Sequence, residues 1–206
     1  LLVVAALFGG AGAARADYSF VFADGSGTVS NNFTVNQGST VDIRVYLTQS
    51  GADTGLSSSG LQAGGVQLNF NQAIANVASS SAITPNPAFD ANSKSVGTGT
   101  ATLNVNQVLT APVVAPTSGA DANRVLLGTF TFSGISGGTT ATFTTDPHPG
   151  LNDNVLGNGT VLDSLIHNSS AVITVAVPEP GTLVLTGLIA TGVAGTAIRR
   201  VRRKAP

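Results

Sequence analysis

Apolar and polar residues alternate with a period of two through most of residues 17–176, the pattern of half-buried strands. In 40–48 (TVDIRVYLT), Val41, Ile43, Val45 and Leu47 face one way, while Asp42, Arg44 and Tyr46 face the other. The same alternation places Val66, Leu68 and Phe70 together in 64–70, and Leu103 with Val105 in 100–108. A long strand is predicted over 124–133 (RVLLGTFTFS), where Gly128 invites a bulge or close packing. Further strands are predicted at 139–145 after a Ser136-Gly137-Gly138 turn, at 170–177, and at the front over 18–22 and 32–35. Residues 74–78 and 85–89 add a strand and a short turn. Eight or nine short strands separated by Gly, Ser and Asn predict an all-β fold, an antiparallel β-sandwich. No substantial helix signal precedes residue 181.

The two ends break this pattern. Residues 1–16 are apolar and close on Ala14-Arg15-Ala16, an A-x-A site whose cleavage leaves Asp17 first, so they are expected to be a secretory signal. No Met and no basic leader precede them, so the true first residues are expected upstream. At the other end Pro178, Glu179 and Pro180 hold the backbone extended, because proline forbids helix at and before its position. Residues 181–198 are uncharged, and as a helix of about 18 residues they reach about 27 Å, enough for a hydrocarbon core. Arg199, Arg200, Arg202, Arg203 and Lys204 follow within 199–206. Each costs about 2.5–3.5 kcal/mol at mid-bilayer, so the cluster is expected to halt there and stay cytoplasmic. The expected organisation is a signal over 1–16, one sandwich domain over 17–176 and a membrane tail over 177–206.

Charge separates along the same boundaries. The body has nine Asp, no Glu, and only Arg44, Lys94 and Arg124 as bases, a formal charge of −6 that the whole-chain value of −1 conceals. An acidic body excludes nucleic acid, which needs clustered Lys and Arg to replace counterions. With no Cys the domain is held by its core alone, without disulfides.

The order of triplet, apolar span and basic terminus resembles the PEP-CTERM sorting signal of Gram-negative bacteria. That resemblance implies an exosortase-type membrane protease as processing partner, a cut near Pro178–Glu179–Pro180 and transient anchoring in the inner membrane. It also implies a destination at the surface or extracellular matrix of biofilm-forming cells that make exopolysaccharide. A second resemblance covers residues 32 to about 175. VNQGSTVDIRVYLT, then GLQAGGVQLNFNQAIANVASSSAI, then RVLLGTFTFSGISGGTTATFTT is similar to cohesin-like, jelly-roll and carbohydrate-binding sandwiches of bacterial surface proteins. A first strand follows the Gly-containing turn 36–39, and 65–70 carries the inner strand. This implies a fold and a tendency to bind.

The residues offer little for catalysis. Asp146, His148 and a serine could form a triad on paper, but no recognisable nucleophile setting supports them. Asp146-Pro147-His148-Pro149-Gly150 reads better as a rigid turn. The body lacks the paired acids of a glycoside hydrolase, so a non-enzymatic protein is expected. Sugar stacking needs exposed flat rings; there is no Trp, and only Tyr46 is expected to be exposed by parity. Phe70, Phe130, Phe132 and Phe143 suit the core. Asp146, Asn152, Asp153, Asn154 and Asp163 offer oxygens to Ca²⁺, although local turn formation accounts better for Asn and Asp there. Asn32, Asn158 and Asn168 head Asn-x-Ser/Thr triplets, glycan acceptors only in a host with that machinery. The leading expectation is an exported structural or adhesive protein. Its rival is a cohesin-like binding module for polysaccharide or a protein partner.

Overall fold

The computed structural model describes residues 17–51, 54–147 and 153–177. Ala14, Ala16, His148, Asn152, the Pro178–Glu179–Pro180 triplet, the span 181–198 and the cluster Arg199 to Lys204 lie outside them. In chain order the strands are β1 (Asp17–Asp24), β2 (Asn32–Asn36), β3 (Thr40–Ser50), β4 (Leu61–Asn69), β5 (Ala75–Asn76), β6 (Ile83–Pro85) and β7 (Ala91–Gly97). They continue with β8 (Thr100–Asn106), β9 (Arg124–Gly134), β10 (Thr139–Pro147), β11 (Val155–Leu156), β12 (Ile166–His167) and β13 (Ser170–Ala176). The one α-helix among the described residues, α1 (Gly55–Ser58), is a single turn.

These strands form two sheets. Sheet A has the order β12-β1-β3-β9-β5, with β6 also on β9; sheet B has the order β2-β13-β10-β4-β8-β7, with β11 on β4. The chain changes sheets at the turn 36–39, where Ser39 N–H donates to the Asn36 carbonyl and Gly38 takes a φ of +80° that disfavours a side chain. The expected antiparallel sandwich needs one correction. β13 runs parallel to β2, and β1 runs parallel to β12. Both partners of each pair are far apart in sequence, so the long connections that parallel pairing requires are present.

The alternation of the sequence becomes the inward faces. Phe22 and Phe132 from sheet A meet Phe143 and Phe70 from sheet B in edge contacts, with centroids 4.8 Å apart for Phe22–Phe143 and 5.2 Å for Phe70–Phe132. Each ring buries enough apolar area to contribute about 2–3 kcal/mol, and the edge geometry adds to it. Strand β7 has no counterpart in the sequence reading. Its ANSKSVG is almost wholly exposed and shows no apolar alternation. It is an edge strand held by seven paired residues of β8, and Lys94 reaches back to donate to the Ile83 carbonyl at 2.7 Å. Lysine on an edge also discourages pairing with another chain. Among the described residues no helix is long and apolar enough to cross a membrane.

Candidate binding cleft and sorting tail

A bulge decides which side chains reach the outer surface of sheet A. β3 and β9 pair regularly from Thr40↔Ser133 to Val45↔Gly128, then slip so that Tyr46 opposes Leu126. The extra residue leaves Leu127 and Gly128 both turned inward and reverses the alternation beyond them. Arg124 and Leu126 therefore emerge on the face that carries Arg44 and Tyr46. Glycine is required at 128, since a Cβ there would stand 2.5 Å from Leu103 Cδ2 and 2.7 Å from the Thr84 carbonyl oxygen.

On that face lies a cleft of about 220 Å³ lined by Arg44, Tyr46, Asp121, Arg124, Val113 and Pro116 among others. The Arg124 guanidinium carbon sits 4.3 Å from the centre of the Tyr46 ring. Its Nη2 donates to Asp121 Oδ1 at 2.7 Å and to the Gly27 carbonyl at 3.1 Å, and its Nε to Asp121 Oδ1 at 3.0 Å. The Gly27 carbonyl is presented by a tight turn that Asp24 ties together, accepting from the Ser26 hydroxyl at 2.5 Å and from Thr28 N–H at 3.0 Å. The Ser26 hydroxyl first, then the Thr28 N–H, holds the Asp24 carboxyl below its ordinary range. Tyr46 does face the polar side, but Arg124 covers it to 3% exposure, which corrects the expectation of an exposed ring. Arg44 and the Tyr46 hydroxyl take no hydrogen bond or ion pair among the described residues.

The oxygen-rich segment is built differently. Asn154 is fully buried and its side-chain amide pairs with the Gly65 backbone, accepting from N–H at 3.1 Å and donating to the carbonyl at 3.0 Å. It fills the step along β4 between β10, which pairs 66–69, and β11, which pairs Leu61 and Ala63. Asp163 accepts from Asn154 Nδ2 at 2.8 Å. Asp153, buried, accepts from Asn104 Nδ2 at 3.1 Å. Asp146 accepts from Asn69 Nδ2 at 2.5 Å and Asn168 Nδ2 at 2.7 Å. The described carboxylates proposed for calcium thus each receive an amide donor, and among the described residues no three His, Cys, Asp or Glu side chains gather as metal ligands. Gly134–Gly138 spells Gly-x-Ser-x-Gly, yet it joins β9 to β10 and opens no helix, so it is not a nucleophile elbow.

Two other surfaces stand out. The outer face of sheet B carries uncharged polar side chains in register, among them Gln67, Asn69, Ser95, Thr102 and Asn104, some bonded to each other as in Ser95–Thr102 at 2.6 Å. Beyond β8, Asp90 accepts from the backbone N–H groups of Val108 and Leu109, both at 2.8 Å, and of Thr110 at 3.2 Å. Those donors, Val108 N–H first and Leu109 N–H next, hold the Asp90 carboxyl below its ordinary range. Leu109 itself is 88% exposed.

At the other end of the chain, the family model of the PEP-CTERM protein-sorting motif matches residues 176–203. The chain carries a PEP-CTERM sorting motif. It takes in Pro178, Glu179, Pro180, the apolar span and the arginines as far as Arg203. The PEP-CTERM match begins at Ala176, the last residue of β13 and of the compact unit that holds the sandwich. The body is similar to cohesin modules. Against CaCohA2 of Clostridium acetobutylicum, in a structure of its complex with CaDoc0917, the TM-score is 0.50 at 14% identity over 79% of this chain and 100% of that one. Against the cohesin module of a family 33 glycoside hydrolase from Clostridium perfringens it is 0.52 at 10% identity, over 80% and 100%. At these identities the likeness is one of fold. No curated protein matches the chain.

Proposed function

We propose that this chain is an exported bacterial surface protein whose sandwich works by binding rather than by chemistry, and whose tail delivers it through an exosortase-type membrane protease. The observation that carries the reading is the sorting-motif match over 176–203, abutting the last strand of the sandwich. In this reading residues 1–16 start export and are cut after Ala16. Residues 181–198 then arrest as a helix in the inner membrane while Arg199 to Lys204 remain on the cytoplasmic side. Pro178 and Pro180 keep Glu179 extended for the protease cleft. A cut at that triplet leaves β13 whole, so processing releases the body to the surface or matrix without disturbing its core.

Three features favour binding within that destination: the cohesin-like fold, the ordered polar face of sheet B, and the cleft on sheet A. A protein partner or a polysaccharide of the exported matrix is the occupant this reading expects, and adhesion is its cellular consequence. The test is processing. Replacing Pro178 and Pro180 together by Ala should leave a longer, membrane-retained form on fractionation and immunoblotting. Unchanged processing of that variant would refute the protease role, and full-length wild-type protein free in the cytosol would refute export.

A further inference from the structure

The cleft on sheet A has an electrostatic design that the body as a whole lacks. Two of the three bases between residues 17 and 176 are here, Arg44 and Arg124, together with one of the two tyrosines of the chain. Arg124 is committed: it is 6% exposed, paired to Asp121, bonded to the Gly27 carbonyl and stacked on Tyr46. Arg44 is not. It lines the cleft with none of its N–H groups engaged by the described residues, and Asp42, two positions along the same face, instead accepts from Thr131 Oγ1 at 2.7 Å. Beside it Tyr46, 3% exposed, lines the cleft with its hydroxyl equally unpartnered among the described residues, a state that costs free energy unless a ligand or solvent group completes it.

Charge then selects the ligand. Arg44 and Arg124 against Asp121 leave one net positive charge in the cleft, the complement of one negative charge. A planar guanidinium fork matches the two oxygens of a carboxylate, and a phenol hydroxyl supplies a third donor. The surrounding −6 of the body opposes polyanions at long range. Val113, Val114 and Pro116 provide an apolar wall for the carbon skeleton behind the charge. We infer that the cleft binds the carboxylate of a compact monoanion, about the size of a hexuronic acid or a single acylated amino acid, with Arg44 and the Tyr46 hydroxyl as its donors. This site stands independently of the sorting reading.

Calorimetric titration of the full chain in detergent tests it, with glucuronate, N-acetylalanine and neutral glucose as probes. A carboxylate is expected to bind with a dissociation constant on the order of 1 mM, glucose not measurably. Arg44→Gln should weaken the carboxylate about tenfold or more, and Tyr46→Phe, which keeps the ring under Arg124, about threefold or more. Thermal unfolding of both variants at the wild-type midpoint separates lost binding from lost fold. Preference for glucuronate assigns the site to a sugar acid, and preference for N-acetylalanine assigns it to a peptide-type carboxylate; either supports the inference. Absence of binding by both carboxylates, equal binding of glucose, or undiminished binding by Arg44→Gln would overturn it.

Discussion

The Arg124 guanidinium carbon lies over the Tyr46 ring, 4.3 Å from its centre, and the pair joins three segments: β3, the start of β9 and the turn at Gly27. Arg124 and Tyr46 are buried and the Gly27 bond is part-buried, whereas Asp121 is 53% exposed. Arg124→Gln should therefore destabilise the fold by about 1–3 kcal/mol through the lost stack and the unpaired carbonyl. Asp121→Asn should cost less than about 1 kcal/mol, as half-exposed ion pairs do. Urea unfolding of the two variants decides the order; equal losses would mean that the ion pair, not the stack, holds Arg124.

Gly128 is the hinge of the same arrangement. With Leu103 Cδ2 and the Thr84 carbonyl both closer than 3 Å to any added Cβ, Gly128→Ala should cost about 1–3 kcal/mol by overpacking. Because the carbonyl cannot retract as a side chain can, Leu103→Val should restore only part of that loss. Full recovery in the Gly128→Ala, Leu103→Val double variant would show that backbone crowding plays no part.

How much of this was legible beforehand follows from where the information sits. Long strands such as β3 and β9 declare themselves because alternate residues face a core, and the Phe residues assigned inward are there. Strand β7 does not, because an edge strand of polar residues is specified by its partner β8 and not by its own pattern. The two parallel pairs depend on chain crossings that no local window contains. For the cleft, parity placed Arg44 and Tyr46 correctly on the outer face. The burial of Tyr46 comes from Arg124, brought into phase by the bulge at Gly128. Gly128 marks the bulge in the sequence, and the phase change it imposes is the signal that brings Arg124 over Tyr46. The role of Asn154 was hidden for the opposite reason: an Asn among Asp and Gly looks like a turn former, whereas here it substitutes for a strand.

That substitution has a measurable cost. Removing the Asn154 amide leaves both backbone groups of Gly65 buried and unpaired, so Asn154→Ala should destabilise by about 2–4 kcal/mol in denaturant. Since Asp146, Asp153 and Asp163 already receive amide donors, millimolar Ca²⁺ should leave the melting temperature of the wild-type chain unchanged. A rise on adding calcium, abolished by Asp163→Asn, would show that these carboxylates bind the metal and make those contacts its metal-free state.

Asp90 sets the acid response of the loop that displays Leu109. Its carboxylate receives the N–H groups of Val108, Leu109 and Thr110, and the Thr110 hydroxyl at 3.2 Å, all bonds that favour the charged form. The folded-state pKa is accordingly depressed below that of an ordinary aspartate. A depressed carboxyl contributes its stability in full above the unfolded pKa and loses it as pH falls through the folded one. Exchange protection of the Val108, Leu109 and Thr110 amides should therefore persist through mildly acidic solution. It should fail only below the ordinary carboxylate range, with Asp90→Asn unprotected throughout. Carbon-detected NMR titration of the Asp90 carboxyl reads the same quantity directly. A midpoint at or above that of an unstructured Asp would show that the three amides do not grip it, and that Leu109 is displayed by a loose loop instead of a clamped one.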